Sequence, residues 1–171
     1  MKLARFGPRG REKPGVIDRD GSLRDLSGVI RDIGWDEISP AGLRRLARLN
    51  PQDLPQVPGK PRLGVPYTGI SKIVAIGLNY RDHARESNMP IPKEPVIFMK
   101  ATTCINGPFD DLLKPVGSTK MDWEVELGVV IGREARRVDA ARALDYVAGY
   151  CAFNDVSERA FQLEMGGQWD K

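Results

Sequence analysis

The sequence predicts an α+β chain in which strands dominate and the helices are short. Two apolar runs of strand length, at 72–77 and 96–99, support this class. Turn signals such as Asp20-Gly21 separate other short runs nearer the N-terminus. Five prolines between Pro51 and Pro66 exclude a long helix or a central strand there. They indicate a boundary between a small N-terminal domain with its linker, at 1–66, and the first part of a larger domain, at 67–171.

The amino-acid composition limits the classes of protein to which the chain could belong. The 171 residues are 41% hydrophobic and 29% charged, which is typical of a globular chain. Lys and Arg number 26 against 23 Asp and Glu, and the resulting net charge of +3 argues against nucleic-acid binding. No apolar run is long enough to cross a membrane, and the start of the chain lacks a secretory h-region. Two cysteines cannot form a disulfide framework, so we expect a cytoplasmic protein.

Within 1–34 we expect short strands joined by turns. The basic residues near the N-terminus are interpreted as a solvated hairpin turn, since glycines and prolines interrupt them. Ser39-Pro40 predicts the start of a helix, with Ser as N-cap and Pro at the first helical position.

The second part alternates strands with short helices. We expect strands at 72–77, 96–99, 123–131 and 149–153. Asp139 is expected to cap a helix through Tyr146 with Leu144 facing inward, and 156–164 is expected to be helical. The sheet is expected to be mixed.

Glu124 and Glu126 form the first candidate site. Side chains at i and i+2 of a strand point to the same face, so the two carboxylates lie side by side. A hard divalent cation would relieve their repulsion. The alternative is a solvent-facing strand, and the spacing alone favours it. Asp155 changes the balance, because it ends an apolar strand where functional acids often lie. The trio predicts an oxygen-ligand site suited to Mg²⁺ or Mn²⁺.

The only histidine is the second candidate. His83 has Glu86 three residues later, which is the same side of a helix. Such a carboxylate can orient the imidazole so that it takes a proton from water. Taken alone, the pair is better explained as an ordinary contact on a charged surface helix.

Other polar side chains flank these candidates. Arg159 and Gln162 lie at i and i+3 just past Asp155, and Arg is suited to a bidentate grip on a carboxylate. A solvated helix face is the alternative. Lys100 ends an apolar strand, and the sequence leaves open whether it extends to solvent or contacts an anion.

Four ordered strings carry a family resemblance: IVAIGLNYRDHARE, PVIFMKATTCINGP, MDWEVELGVVIG and ALDYVAGYCAFNDVSERAFQ. Together they resemble the fumarylacetoacetate hydrolase family, most closely its bacterial branch of acylpyruvase-like and 2,4-diketo-3-deoxy-sugar-acid hydrolases. The resemblance implies a mixed β-sandwich roll preceded by a small N-terminal domain. It also implies a homodimer.

The resemblance assigns roles to the candidates. It implies that Glu124, Glu126 and Asp155 bind Mg²⁺ or Mn²⁺, and that His83 and Glu86 are the catalytic pair on a mobile lid. Arg159 and Gln162 correspond to substrate-binding positions.

The implied reaction is metal-dependent hydrolysis of a C–C bond in a 2,4-dioxo acid, which releases pyruvate or a related 2-keto acid. Alternatives within the family are oxaloacetate decarboxylation and hydration or isomerisation of a 2-keto-4-enoic acid. Family chains continue past this point, so the resemblance implies a C-terminally truncated member with an incomplete roll. A non-catalytic partner of full-length subunits is therefore a further alternative.

Overall fold

The computed structural model describes all 171 residues, and they form two compact units. The first unit comprises Met1–Gly69, Asn106–Leu112 and Glu126–Phe153; the second comprises Ile70–Ile105, Leu113–Val125 and Asn154–Lys171. The expected boundary at residue 66 lies near the end of the first unit's opening stretch, but that unit also takes in two later segments of the chain.

A three-stranded antiparallel sheet opens the first unit. Its strands are β1 (Lys2–Phe6), β2 (Lys13–Ile17) and β3 (Leu23–Asp25), in that spatial order. The predicted Asp20-Gly21 turn joins β2 to β3: Gly21 has a φ of +83°, which glycine adopts without steric cost. The Asp18 amide donates to the Ser22 carbonyl at 2.9 Å and closes the turn.

Two short helices follow, α1 (Trp35–Ile38) and α2 (Pro40–Leu46). The predicted cap of α2 is confirmed, because the Ser39 hydroxyl accepts a hydrogen bond from the Gly42 amide at 3.0 Å. Gly42 lets the helices approach closely: a Cβ there would lie 2.0 Å from the Asp36 carbonyl oxygen. The proline-rich stretch contains a 3₁₀ turn, Pro51–Asp53, and two isolated β-bridges, from Gln56 to Arg24 and from Leu63 to Phe6.

The hydrophobic core explains why later strands join the first unit. Its buried members are Val16, Leu26, Ile30, Ile33, Ile38 and Leu46. Val130 and Ala148 pack against this cluster, and they come from β7 (Val125–Ile131) and β8 (Val147–Asn154). The two strands pair with each other in a separate sheet. Burial of apolar surface therefore holds β7 and β8 in the first unit, although β7 begins 100 residues after the end of β3.

An ion-pair cluster recruits the segment Asn106–Leu112 in the same way. The Arg62 guanidinium binds Asp110 through two contacts of 2.5 Å and Glu12 through one of 2.8 Å. Arg5 binds Asp32 at 2.7 Å and is only 12% exposed. The interpretation of the basic N-terminal residues as a solvated turn is therefore wrong for Arg5, because this side chain finds a carboxylate partner outside the hairpin.

Four short elements occupy the second unit before residue 105. Strand β4 (Ile73–Gly77) pairs antiparallel with β5 (Val96–Lys100), and α3 (Arg81–Glu86) lies between them in sequence. A 3₁₀ turn, Thr102–Cys104, follows β5.

The end of the second unit departs from the expected helix at 156–164. Strand β9 (Ser157–Glu158) pairs with β6 (Met121–Asp122), and a π-helical turn, Ala160–Glu164, follows. Pairing with β6 keeps the backbone extended where local sequence favours a helix.

The expected helix after Asp139 is a 3₁₀ helix, Ala140–Tyr146, without a side-chain cap. Leu144 is 76% exposed, so its expected inward orientation is wrong. A 3₁₀ turn places successive side chains 120° apart, which displaces a residue from the face that α-helical spacing predicts.

The predicted class, α+β with mostly strands, is confirmed by these elements. None of the helices has the length and apolar character needed to span a bilayer.

Candidate active site

Glu124 and Asp155 are neighbours in the second unit. The Asp155 amide donates to the Glu124 carbonyl at 2.9 Å, and the Glu124 amide donates to the side-chain oxygen of Asn154 at 3.2 Å. These two bonds hold the backbone segments together although 31 positions separate the two acids in the numbering. Asp155 is 9% exposed and thus buried, and the Glu124 side chain is 23% exposed.

The strand expected over 123–131 begins only at Val125 in the structure, so Glu126 lies on β7 and Glu124 lies just before it. Exposure alternates from 124 to 127: both glutamates are partly buried, whereas Val125 and Leu127 are 71% and 60% exposed. The apolar side chains here are thus more exposed than the two carboxylates. Because Glu124 lies outside the strand, the placement of both carboxylates on one face stays a prediction. By contacts, Glu126 belongs to the first unit and Glu124 to the second.

A buried ion pair joins Lys100 to Asp155. The Lys100 ammonium lies 2.7 Å from Oδ1 of Asp155, and the two side chains are 7% and 11% exposed. The structure thus decides between the two possibilities for Lys100: it contacts an anion. The ammonium also lies 5.8 Å from the ring centroid of Phe98, a cation–π distance.

Arg159 pairs with Glu124. Its guanidinium donates to the Glu124 carboxylate, to Asp122 at 2.9 Å and to the side-chain oxygen of Gln162 at 2.8 Å. Burial by itself would lower the pKa of Arg159, but the hydrogen bonds that it donates to the Glu124 and Asp122 carboxylates raise it. Arg159 and Gln162, predicted as a pair, are therefore in direct contact. Arg159 immediately precedes the π-helical turn, and Gln162 lies within it.

Sequence reasoning missed Glu158. Its carboxylate is 6% exposed and accepts hydrogen bonds from the Ser118 hydroxyl, the Lys120 amide at 2.9 Å and the Ala160 amide at 3.2 Å. Burial opposes its ionisation, but these donors lower its pKa. By accepting hydrogen bonds from the Lys120 and Ala160 amides, Glu158 holds in place the backbone next to Arg159. No local signal identifies it, since two of its partners lie about 40 positions earlier.

His83 and Glu86 lie on α3, as predicted, but no hydrogen bond joins their side chains. His83 is partly buried and Glu86 is exposed, and the ion pair on this helix is Arg85 with Asp82 at 3.1 Å. An open cleft of about 510 Å³ adjoins the helix. It is lined by Arg81, Ala84, Arg85, Met89 and Ile91. The assigned roles of His83 and Glu86 stay predictions.

The residue types at this site suit a divalent cation, but their placement in the structure does not bring three ligands together. Carboxylate oxygens are the ligands that Mg²⁺ and Mn²⁺ prefer, and Glu124 and Asp155 each bind a side-chain cation already. Across the 171 residues, no three His, Cys, Asp or Glu side chains form a group that could hold a metal ion. In this arrangement Arg159 and Lys100 supply the positive charge next to the two acids.

Comparison with known proteins identifies the family. The C-terminal domain of fumarylacetoacetate (FAA) hydrolase matches residues 72–171. The chain belongs to the fumarylacetoacetate hydrolase family. A relative from Burkholderia multivorans, which is named only as a hydrolase, is 59% identical over all 171 residues. The chain spans 61% of the length of that relative.

Solved structures of the family share the fold. Fumarylacetoacetate hydrolase from Exiguobacterium antarcticum superposes with a TM-score of 0.79 at 30% identity, over 96% of this chain and 58% of that one. Maleylpyruvate hydrolase from Sphingobium sp. SYK-6, solved with manganese(II) and pyruvate, gives 0.75 at 25% identity, over 93% and 60%. A 5-carboxymethyl-2-hydroxymuconate delta-isomerase from Mycobacterium smegmatis gives 0.66 at 30% identity, over 99% and 59%. Family relatives thus include both hydrolases and isomerases.

Proposed function

We propose that this protein takes part in metal-dependent hydrolysis of a C–C bond in a 2,4-dioxo acid, with release of pyruvate or a related 2-keto acid. The observation that carries the proposal is the neighbouring pair Glu124 and Asp155, buried or partly buried and each paired with a cation. Hydrolases of the family and the pyruvate bound to the Sphingobium relative support the substrate class.

Glu124, Glu126 and Asp155 are the proposed ligands of Mg²⁺ or Mn²⁺. When bound, the cation would act as a Lewis acid for the negative charge that develops on the 2-keto oxygen. Manganese is the metal to test first, because the Sphingobium relative was solved with it.

The chain's own residues would move the proton. His83, oriented by Glu86, takes a proton from water, and the resulting hydroxide adds to the 4-keto carbon. The bond between carbons 3 and 4 then breaks, leaving a carboxylic acid and the enolate of pyruvate. Return of the proton to carbon 3 gives pyruvate. Because no hydrogen bond joins His83 to Glu86 in this structure, the step requires the two side chains on α3 to rearrange when substrate binds.

Arg159 and Gln162 would hold the polar groups of the substrate. A planar guanidinium suits a carboxylate, and Gln162 buries its amide next to it. We further propose a homodimer as the assembly.

The test is titration calorimetry of Mn²⁺ and Mg²⁺ into the protein, followed by a pyruvate-release assay with a panel of acylpyruvates. Glu124→Gln keeps the shape of the side chain and removes its charge, so we expect it to abolish saturable binding. Arg142→Gln removes a charge from an exposed ion pair and serves as the control that should bind normally. Metal binding that survives Glu124→Gln contradicts the proposal.

Isomerisation or hydration of a 2-keto-4-enoic acid is the second candidate, favoured by the similarity to the Mycobacterium smegmatis isomerase. The same assay separates the reactions when dienoates and oxaloacetate are included: loss of dienoate absorbance without pyruvate would replace hydrolysis as the activity.

A further inference from the structure

Two side-chain cations lie on the proposed metal ligands. Lys100 contacts Oδ1 of Asp155 at 2.7 Å, and the Arg159 guanidinium contacts the Glu124 carboxylate. Both pairs lie within the second unit. Each carboxylate is thus already neutralised by a positive charge from the chain itself.

The Lys100–Asp155 pair is a buried ion pair and not a chance surface contact. An ammonium that is 7% exposed has lost most of its hydration, and a lysine is rarely buried without a partner. The end of β5 aims this side chain at Asp155, 55 positions later in the chain, while the Phe98 ring lies at cation–π distance. Arg159 is held as firmly, by Asp122 and Gln162 in addition to Glu124.

We infer that Lys100 and Arg159 are internal counter-cations that compete with the divalent metal for Asp155 and Glu124, and so set its affinity. The inference rests on the proposed metal site. The attraction of either carboxylate for a divalent ion is reduced, because each carboxylate already holds a univalent cation. The ion must also approach two positive charges. Both effects weaken metal binding relative to a site with the same carboxylates alone.

The competition also links the metal to the substrate. While its guanidinium binds Glu124 and Asp122, Arg159 has fewer donors to offer an incoming carboxylate. Transfer of Glu124 to the metal releases donors on Arg159. The metal is therefore expected to bind before the substrate.

The experiment is Mn²⁺ calorimetry on Lys100→Met and Arg159→Met, each beside the wild type. Removing a cation at contact distance from the ligands should tighten Mn²⁺ binding by ~10-fold or more, since a divalent ion is repelled twice as strongly as a univalent one by the same positive charge. Lys100→Arg keeps the charge and should bind like the wild type. Lys120→Met is the matched control: it also removes one positive charge, but from an exposed pair with Glu164.

The outcomes separate this inference from the proposed function. Unchanged or weaker Mn²⁺ binding by both methionine variants, with wild-type far-ultraviolet circular dichroism, overturns the competition. Tightening by Lys120→Met to the same extent also overturns it, since net charge alone would then explain the effect. If Glu124→Gln abolishes binding while Lys100→Met and Arg159→Met change nothing, the metal site stands and only the counter-cation role falls. If wild type and all variants bind no Mn²⁺, both proposals fail. Should Lys100→Met not fold, Arg159→Met tests the same competition at the other carboxylate.

Discussion

Substitution of Asp155 by Asn should strongly destabilise the metal-free protein, because it leaves the Lys100 ammonium buried without a counter-charge. The two side chains are 7% and 11% exposed and 2.7 Å apart, so the pair falls in the class whose disruption costs about 3–5 kcal/mol. Asn keeps one oxygen acceptor, which places the expected loss at ~3 kcal/mol, the lower end of that range. For a chain of this length that corresponds to a fall of roughly 6–12 °C in the unfolding midpoint.

The assay is a double-mutant cycle in chelator-treated protein, with urea unfolding followed by circular dichroism. Asp155→Asn and Lys100→Met should each be costly, and the double variant should cost clearly less than their sum, since it leaves no unpaired charge. Asp82→Asn is the control, because the Asp82–Arg85 pair is 84% and 79% exposed and solvent screens it. Additive costs in the double variant would refute the reasoning, as would an equal loss in Asp82→Asn.

Two further predictions concern the first unit. Ile33 is 0% exposed, so Ile33→Ala should cost about 2–5 kcal/mol in urea unfolding and Ile33→Val about 0.5–1.5 kcal/mol; equal losses would contradict close packing at this position. The hydrogen bonds from Arg62 hold the pKa of Asp110 below its ordinary value. A carboxyl whose pKa is depressed in the folded state stabilises the protein above the unfolded pKa of about 3.9, and this is lost as the pH falls through the folded pKa. The difference in unfolding midpoint between wild type and Asp110→Asn should therefore shrink below about pH 4, and a difference that is constant from pH 7 to pH 2.5 would count against the ion pair.

Much of the local structure could be predicted from the sequence because its causes are local. The Asp20-Gly21 turn depends on the backbone freedom of one glycine, and the start of α2 depends on the Ser39 hydroxyl and the fixed φ of Pro40. The predictions fail where the pairing partner of a segment lies far away along the chain. The sequence predicts a helix over 156–164, but pairing of β9 with β6 keeps residues 157–158 extended and confines the helical turn to Ala160–Glu164.

The same distinction applies to the candidate site. The i, i+3 spacing placed Arg159 beside Gln162, as their 2.8 Å hydrogen bond bears out. Strand periodicity predicts that Glu124 and Glu126 share a face, and this stays a prediction because Glu124 lies just before β7. The four ordered motifs also determined the family, which the match over residues 72–171 confirms.

Only the tertiary structure decided which charges meet. Lys100 reaches Asp155 and Arg159 reaches Glu124 because chain reversals bring together segments 55 and 35 positions apart. The buried Glu158 could not be identified from the sequence, because its partners Ser118 and Lys120 are also distant along the chain. Hydrophobic periodicity reports which side of an element faces the interior, but a salt bridge depends on where two elements stand relative to each other, and that is set by packing of the whole unit.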